Sequence, residues 1–248
     1  MERVNTGIPG LDKLIGGGFE KGSIVEVAGS EGTFKSTFAL QFALEGVKRN
    51  EKVVYVSLEE QKESFESTVR IFGWGKNFSK IDFRHIDVKQ VIASLGVSYN
   101  GEGPELLAKK LLKTFDSGID RLVLDSATTL ALYSSRTSVK LTGDKKWGFI
   151  TPSCGDIRVM LYYLSSELRK SGATVLFLAE SGKGELYAAE EVLKYVCDAK
   201  IELKKSSLGT ESPRTMIIRK MRHTRHPLDE MALVVTANGL DVTDIAGK

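Results

Sequence analysis

The sequence contains little cysteine and no long hydrophobic run. Its two cysteines, Cys154 and Cys197, are too far apart for a CxxC redox or zinc motif. No run of about 18 uncharged apolar residues occurs, and the amino terminus carries charge and glycine where a signal peptide would have its apolar core. We therefore expect a cytoplasmic protein with buried thiols, and neither secretion nor membrane insertion.

The sequence also lacks a strong charge of either sign. It has 35 basic and 32 acidic residues, a net charge of +3. With 42% hydrophobic and 27% charged residues, it is typical of a soluble globular chain and unlike a disordered or collagen-like one. Binding to a polyanion would therefore depend on local clusters of basic residues.

Apolar stretches of strand length alternate with longer stretches of helical spacing. This pattern predicts an α/β fold with a mostly parallel, twisted sheet flanked by helices. We expect strands at residues 23–29, 52–58, 81–86, 121–125 and 173–179, helices at 36–48, 62–72, 104–115 and 156–170, and an antiparallel extension at 199–203, 215–221 and 232–236. A polar loop at about 133–155 and a polar connection after residue 179 complete the pattern. No repeat or linker occurs, so residues 1–248 are predicted to form one domain.

A phosphate-binding loop is predicted between the first strand and the first helix. The segment matches G-x-x-x-x-G-K-[ST] except at one position, and it comprises Gly29, Ser30, Glu31, Gly32, Thr33, Phe34, Lys35, Ser36 and Thr37. Backbone N–H groups of such a turn bind phosphate, the lysine neutralises it and the serine hydroxyl ligates Mg²⁺. Phe34 replaces the last glycine, so its ring must point away from the nucleotide or weaken its binding. The alternative is a chance near-match.

Three acidic residues follow neighbouring strands. Asp125 ends an apolar strand and could hold magnesium opposite the loop, or it could simply start a turn. Glu59 and Glu60 follow another strand, where one of them could polarise the attacking water. Alternatively, both are solvated acids at the start of the next helix.

Residues 214–226 form a basic cluster that contains no acid. It consists of Arg214, Arg219, Lys220, Arg222, Arg225, His223 and His226. Lys220 and Arg222 could reach a phosphate bound to a neighbouring subunit. The alternative is a solvated edge strand whose charges prevent aggregation. The two histidines have no partners at metal spacing, so zinc is not expected.

The polar loop mixes cations with aromatic residues. Its cations could neutralise the phosphates of single-stranded DNA, and its aromatic residues could stack on the bases. The cations are Arg136, Lys140, Lys145 and Lys146, and the aromatic residues are Trp147 and Phe149. The alternative is a polar loop whose apolar residues dock on the core or on another subunit. Trp74 is interpreted as a packing residue.

Taken together, these segments resemble the KaiC-like branch of the RecA-type ATPases over nearly the whole chain. The resemblance rests on residues 4–37, YVSLEE at 55–60, RLVLDS at 121–126, FLAE at 177–180, VCDAKIEL at 196–203 and KMRHTRHP at 220–227. It implies a RecA-type core, ATP with Mg²⁺, Glu180 as a polar sensor, and a homo-oligomeric ring, possibly a hexamer. In that ring, Lys220 and Arg222 would act on the adjacent protomer's ATP.

We therefore expect a Mg-dependent ATPase with Glu59 or Glu60 as the base and Ser36 and Asp125 at the metal. Two alternatives stay open. Phe34 could have impaired hydrolysis, leaving a nucleotide-binding scaffold or sensor. The chain could also be a recombination or repair accessory protein that binds single-stranded DNA.

Overall fold

The structure is a computed structural model that describes residues 1–88, 90, 103–115, 117–130, 138–140, 147–149, 154–181, 185–205 and 213–245. Within these residues, nine strands form one mixed sheet. They are β3 (Ile24–Gly29), β4 (Val53–Ser57), β5 (Asp82–His85), β6 (Arg121–Asp125), β9 (Thr174–Glu180), β10 (Ala199–Lys205), β11 (Arg214–Met221), β12 (Met231–Thr236) and β13 (Gly239–Thr243), in the order β13-β12-β11-β10-β3-β9-β6-β4-β5. Two small ribbons pair β1 (Arg3–Val4) with β2 (Phe19–Glu20) and β7 (Ser138–Lys140) with β8 (Trp147–Phe149).

Helices cover both faces of the sheet, and each face has its own apolar core. The helices are α1 (Pro9–Leu14), α2 (Lys35–Lys48), α3 (Glu66–Ile71), α4 (Gly75–Phe78), α5 (Gly103–Lys113), α6 (Cys154–Ser171) and α7 (Glu185–Val196), and a 3-10 turn at Lys62–Phe65 precedes α3. Helices α1 to α4 contribute to one core, and α5 to α7 contribute to the other. Helix α2 is buried along most of its length, so it sits firmly against the central strands and carries the predicted phosphate loop at its amino end.

The α/β prediction is confirmed, and the differences are local. Strand β10 pairs in parallel with β3, so the antiparallel extension begins one strand later than expected, at β11. The stretch after residue 179, predicted as a polar connection, contains helix α7. Its apolar side chains Ala189, Val192, Leu193 and Val196 are buried and follow helical spacing, but intervening charged residues masked that pattern. The helix predicted at 62–72 begins as a 3-10 turn, which is common at helix starts.

The carboxyl ends of β3, β4, β6 and β9 lie at the same edge of the sheet, because these strands run parallel. Ligands of open α/β sheets bind at this edge. The predicted acids and the phosphate loop all follow these strand ends. No helix in the described parts of the chain is long and apolar enough to cross a membrane.

Candidate functional site

The predicted phosphate loop joins β3 to α2 in a tight turn held by its own side chains. The Thr33 hydroxyl donates to the Ser30 carbonyl at 2.7 Å. The Lys35 ammonium folds over the loop and donates to the carbonyls of Gly29 at 2.9 Å and Ser30 at 3.0 Å. The loop therefore places a cation and the amino end of a 14-residue helix at one point, which is a favourable environment for an anion.

Two glycines of the loop occupy positions that disfavour a side chain, one through its backbone conformation and one through lack of space. Gly32 has a φ of +75°, a conformation that side chains disfavour, and a Cβ on Gly29 would lie 2.6 Å from the Leu203 carbonyl oxygen. The backbone of the loop can therefore pack closely against β10 on one side.

Phe34 also has a left-handed backbone, with φ 71° and ψ 25°, at the position before helix α2 begins. Its ring is partly buried against the core on the α2 side of the sheet. The Arg214 guanidinium lies 4.2 Å from the ring centroid. The phenylalanine is therefore accommodated in the glycine-like conformation, and its ring has packing partners of its own.

Asp125 meets the start of α2 beneath the loop. The hydroxyls of Ser36 and Tyr55 both donate to its Oδ2, at 3.2 Å and 2.7 Å. Burial raises the pKa of the Asp125 carboxyl to about 6, although the two hydrogen bonds favour its charged form and oppose this shift. The structure thus brings a serine hydroxyl and a desolvated carboxylate together as predicted.

These two oxygen groups fit a magnesium site. Mg²⁺ prefers oxygen ligands and is commonly bound by one or two protein groups together with substrate phosphates and water. The described parts of the chain hold no cluster of three or more His, Cys, Asp or Glu side chains suited to a metal. Ser36 and Asp125 would therefore bind the ion together with a phosphate ligand, rather than form a closed protein cage.

The two candidate bases differ in their surroundings. The Glu59 carboxylate accepts a hydrogen bond from Ser126 Oγ at 2.7 Å and another from Thr129 Oγ1, which fixes it next to the end of β6. Glu60 contacts its surroundings through the backbone, since its N–H bonds to Ser57 Oγ at 2.9 Å. The geometry distinguishes the two acids and favours Glu59 as the oriented one.

Glu180 ends β9 directly beside Gly29 in the sheet register. Its backbone N–H donates to Thr128 Oγ1 at 3.1 Å. A polar residue is thus placed at the edge of the phosphate loop.

Lys220 and Arg222 lie at the other end of the sheet, where the Lys220 ammonium donates to the Cys197 carbonyl at 2.6 Å, just before β10 begins. The Arg222 guanidinium reaches Asp198 at 3.3 Å, and the Asp198 carboxylate also accepts the N–H of Ile24, the first residue of β3. Because the phosphate loop follows the last residue of the six-residue strand β3, about 17 Å of strand separates the two ends. Lys220 and Arg222 are therefore remote from the phosphate loop of their own chain.

The remaining predictions have mixed outcomes. Glu31 is exposed and Thr37 is buried in the first turn of α2. Trp74 stacks on Phe72 with ring centroids 4.6 Å apart, which confirms a packing role. The DNA-binding alternative concerns the polar loop at about 133–155. Arg136, Lys145 and Lys146 of this loop lie outside the described residues, as do the side chains of Lys140, Trp147 and Phe149.

Sequence reasoning missed the hydroxyls that surround the acids. Tyr55, Ser126, Thr128 and Thr129 donate to or accept from the site residues. Tyr55 gave a usable signal, because a phenol in a mostly apolar strand that is fully buried needs a hydrogen-bond partner. The three hydroxyls that follow Asp125 gave none, since Ser and Thr are common in any loop.

Comparisons with known proteins agree with this geometry. The model of the KaiC ATPase family matches residues 4–141 and 151–246. A UPF0273 protein of Methanocaldococcus jannaschii is 27% identical over 98% of this chain and 96% of its own length. The circadian clock protein KaiC3 of Synechocystis is 28% identical over 95% of this chain and 44% of its own length.

A solved structure supports the same conclusion. The KaiC-like protein of Pyrococcus horikoshii superposes with a TM-score of 0.69 at 28% identity, covering 97% of this chain and 98% of that one. The fold, the phosphate loop and the family match therefore agree, and the chain belongs to the KaiC family of nucleotide-binding ATPases.

Proposed function

We propose that this protein hydrolyses ATP with Mg²⁺ at the site between the phosphate loop and the ends of β4, β6 and β9. The observation that supports this most is the 3.2 Å contact of Ser36 with the buried Asp125 at the amino end of α2. It joins a hydroxyl and a carboxylate at the position where a triphosphate would place its metal.

Each residue then has a definite task. Loop N–H groups and Lys35 bind the phosphates, while Ser36 and Asp125 hold the metal. Bound magnesium would withdraw charge from the phosphate oxygens. Glu59, oriented by Ser126 and Thr129, accepts a proton as water attacks the terminal phosphorus and the bond to the bridging oxygen breaks.

The first test separates binding from chemistry. Lys35→Ala weakens ATP binding by about 100-fold, whereas Lys48→Ala, at the far end of the same helix, leaves it unchanged; calorimetry measures both. Glu59→Gln keeps binding but slows phosphate release by about 100-fold, and Glu60→Gln slows it less. Wild-type affinity in Lys35→Ala would remove the phosphate-loop assignment.

We further propose that the chain acts as one ATPase domain and assembles into a ring in which Lys220 and Arg222 act on the neighbouring subunit's ATP. Their distance from the loop of their own chain supports this. Rings made only of the Lys35→Ala variant, or only of the Arg222→Ala variant, should hydrolyse ATP poorly. Mixed in equal amounts, they recover about a quarter of wild-type activity, because random neighbours complete one interface in four. Mass photometry on the same mixture reports assembly, and the absence of recovery in mixed rings would contradict action in trans.

The alternative is a scaffold that binds ATP without turning it over. It is favoured by one observation, the strained backbone of Phe34 in the phosphate loop. In a scaffold, ATP binding would still depend on Lys35, but the wild-type protein would release no phosphate. Phe34→Gly would then restore turnover. Equal turnover of the wild type and Phe34→Gly favours the ATPase.

A further inference from the structure

Phe34 adopts a backbone conformation that residues with a side chain rarely take. Its φ of 71° lies in the left-handed region, which glycine enters freely and other residues avoid because Cβ approaches the following carbonyl oxygen. The phosphate-loop motif has glycine at this position. A loop with phenylalanine here therefore needs other contacts to hold its turn.

Arg214, the first residue of β11, makes such contacts on both sides of Thr33. Its guanidinium lies 4.2 Å from the centroid of the Phe34 ring, within the range of a cation–π interaction. Its Nε donates to the Gly32 carbonyl at 3.1 Å. One side chain from a different strand thus holds the loop at two points.

Arg214 differs in its partners from two other cations of β10 and β11. Arg219, on the same strand, pairs with Glu202 at 2.6 Å, and Lys204 on β10 pairs with Glu230. Within the described residues, Arg214 forms no ion pair, and its guanidinium contacts the phosphate loop. A surface cation placed only for solubility would have no reason to stack on this ring.

The hydrogen bond to Gly32 also sets the direction of the next amide group. The peptide between Gly32 and Thr33 is trans, and the C=O and N–H of a planar trans peptide point in opposite directions. Holding the Gly32 carbonyl toward Arg214 therefore directs the Thr33 N–H away from it. N–H groups of such loops are the donors that bind phosphate oxygens.

We propose that Arg214 is a positioning residue of the nucleotide site. Its stack on Phe34 and its bond to Gly32 hold the phosphate loop in the left-handed turn that glycine would otherwise supply. This inference rests on the proposed function, because its consequence is affinity for a triphosphate. Arg214 acts through Phe34, so its effect on affinity depends on that ring being present.

A double-mutant cycle tests this dependence with a nonhydrolysable ATP analogue and Mg²⁺. Arg214→Gln in the wild-type background weakens binding about five-fold, and in the Phe34→Gly background less than about two-fold. Arg214→Lys keeps the charge but not the planar stack, so it also weakens binding. Arg219→Gln removes the same charge from the same strand and leaves affinity unchanged.

A second measurement needs no nucleotide. Hydrogen exchange of the backbone amides at residues 30–34 becomes about five-fold faster in Arg214→Gln, because the loop opens more often. Three results would overturn the inference while the proposed function stands. They are an equal effect of Arg214→Gln on affinity in both backgrounds, wild-type affinity in Arg214→Lys, and unchanged hydrogen exchange of the loop in Arg214→Gln. A wild-type protein that does not bind the analogue would overturn both.

Discussion

Among the described residues, two carboxylates of the central sheet are buried, and they differ in what surrounds them. Glu26, in the middle of β3, is fully buried and lies 3.1 Å from the Lys200 ammonium, which also contacts Glu190 at 2.7 Å. Asp125, at the end of β6, is also buried, but its partners are the hydroxyls of Ser36 and Tyr55. Burial raises the pKa of both carboxyls, to about 7 for Glu26 and about 6 for Asp125.

This difference separates a structural charge from a functional one. Burial alone would lower the pKa of Lys200, but Glu26 and Glu190 together raise it, so the lysine stays charged and compensates its neighbours. Among the described residues, no cation pairs with Asp125. A buried carboxylate without a cation of its own chain, next to a serine hydroxyl and a phosphate loop, is a position suited to a metal ion.

The largest effect is expected from removing the compensating cation. Lys200→Met keeps the apolar stem but leaves Glu26 buried without its partner, and we expect a loss of about 3 kcal/mol at pH 9, or roughly 10 °C in Tm. The raised pKa of Glu26 sets the pH dependence. At low pH the Glu26 carboxyl is neutral in both proteins, so the variant keeps the stability of the wild type. As the pH rises through about 7 and above, the wild-type carboxyl ionises beside Lys200, whereas the variant has no cation there and loses stability relative to the wild type.

Thermal unfolding at pH 6 and pH 9 measures this change. The matched control is the Glu26→Gln/Lys200→Met double variant, which has no buried charge to compensate at this position and should recover most of the stability. A loss that is equal at both pH values, or that persists in the double variant, would show that Lys200 stabilises by packing alone.

The substitution Asp125→Asn should raise the free energy of unfolding, whereas Lys200→Met lowers it. The amide is close to isosteric and its oxygen can still accept from Ser36 and Tyr55, but it carries no charge. Because the native pKa of Asp125 is raised to about 6, its ionisation opposes folding as the pH rises through that value. The variant should therefore be more stable by about 2 kcal/mol at pH 8, with the difference shrinking as the pH falls from about 6 and vanishing below the ordinary carboxyl pKa of 3.8, where Asp125 is protonated in the folded and the unfolded chain alike.

Urea unfolding without nucleotide measures this stability, and phosphate release measures the accompanying loss of turnover. The pairing of higher stability with lower activity is the expected mark of a site that is kept under strain for function. An Asp125→Asn protein that is less stable at pH 8 would indicate that the carboxylate has a compensating cation after all.

The contrast between the two carboxylates could be predicted only in part from the sequence. The strand before Asp125 was predictable because its apolar run ends in an acid, and the phosphate loop was predictable from glycine and lysine spacing. The Glu26–Lys200 pair was not, because its members lie 174 positions apart and only the parallel pairing of β3 with β10 brings them together. The sequence marked Phe34 as unusual, but a single residue type does not reveal a φ of 71° or the partner that stacks on the ring.

The smallest effect concerns the phenol that touches Asp125. Tyr55→Phe removes the 2.7 Å hydrogen bond, while the ring still stacks on Phe83 with centroids 5.1 Å apart. We therefore expect a loss of about 1 kcal/mol in the free energy of unfolding at pH 8, measured with urea. In the Asp125→Asn background the same substitution should matter less, because bonds to a charged acceptor are the stronger ones. An equal loss in both backgrounds would mean that the hydroxyl serves the packing of β4. A smaller loss beside the neutral amide would show that Tyr55 stabilises the charge that Asp125 would offer to a metal ion.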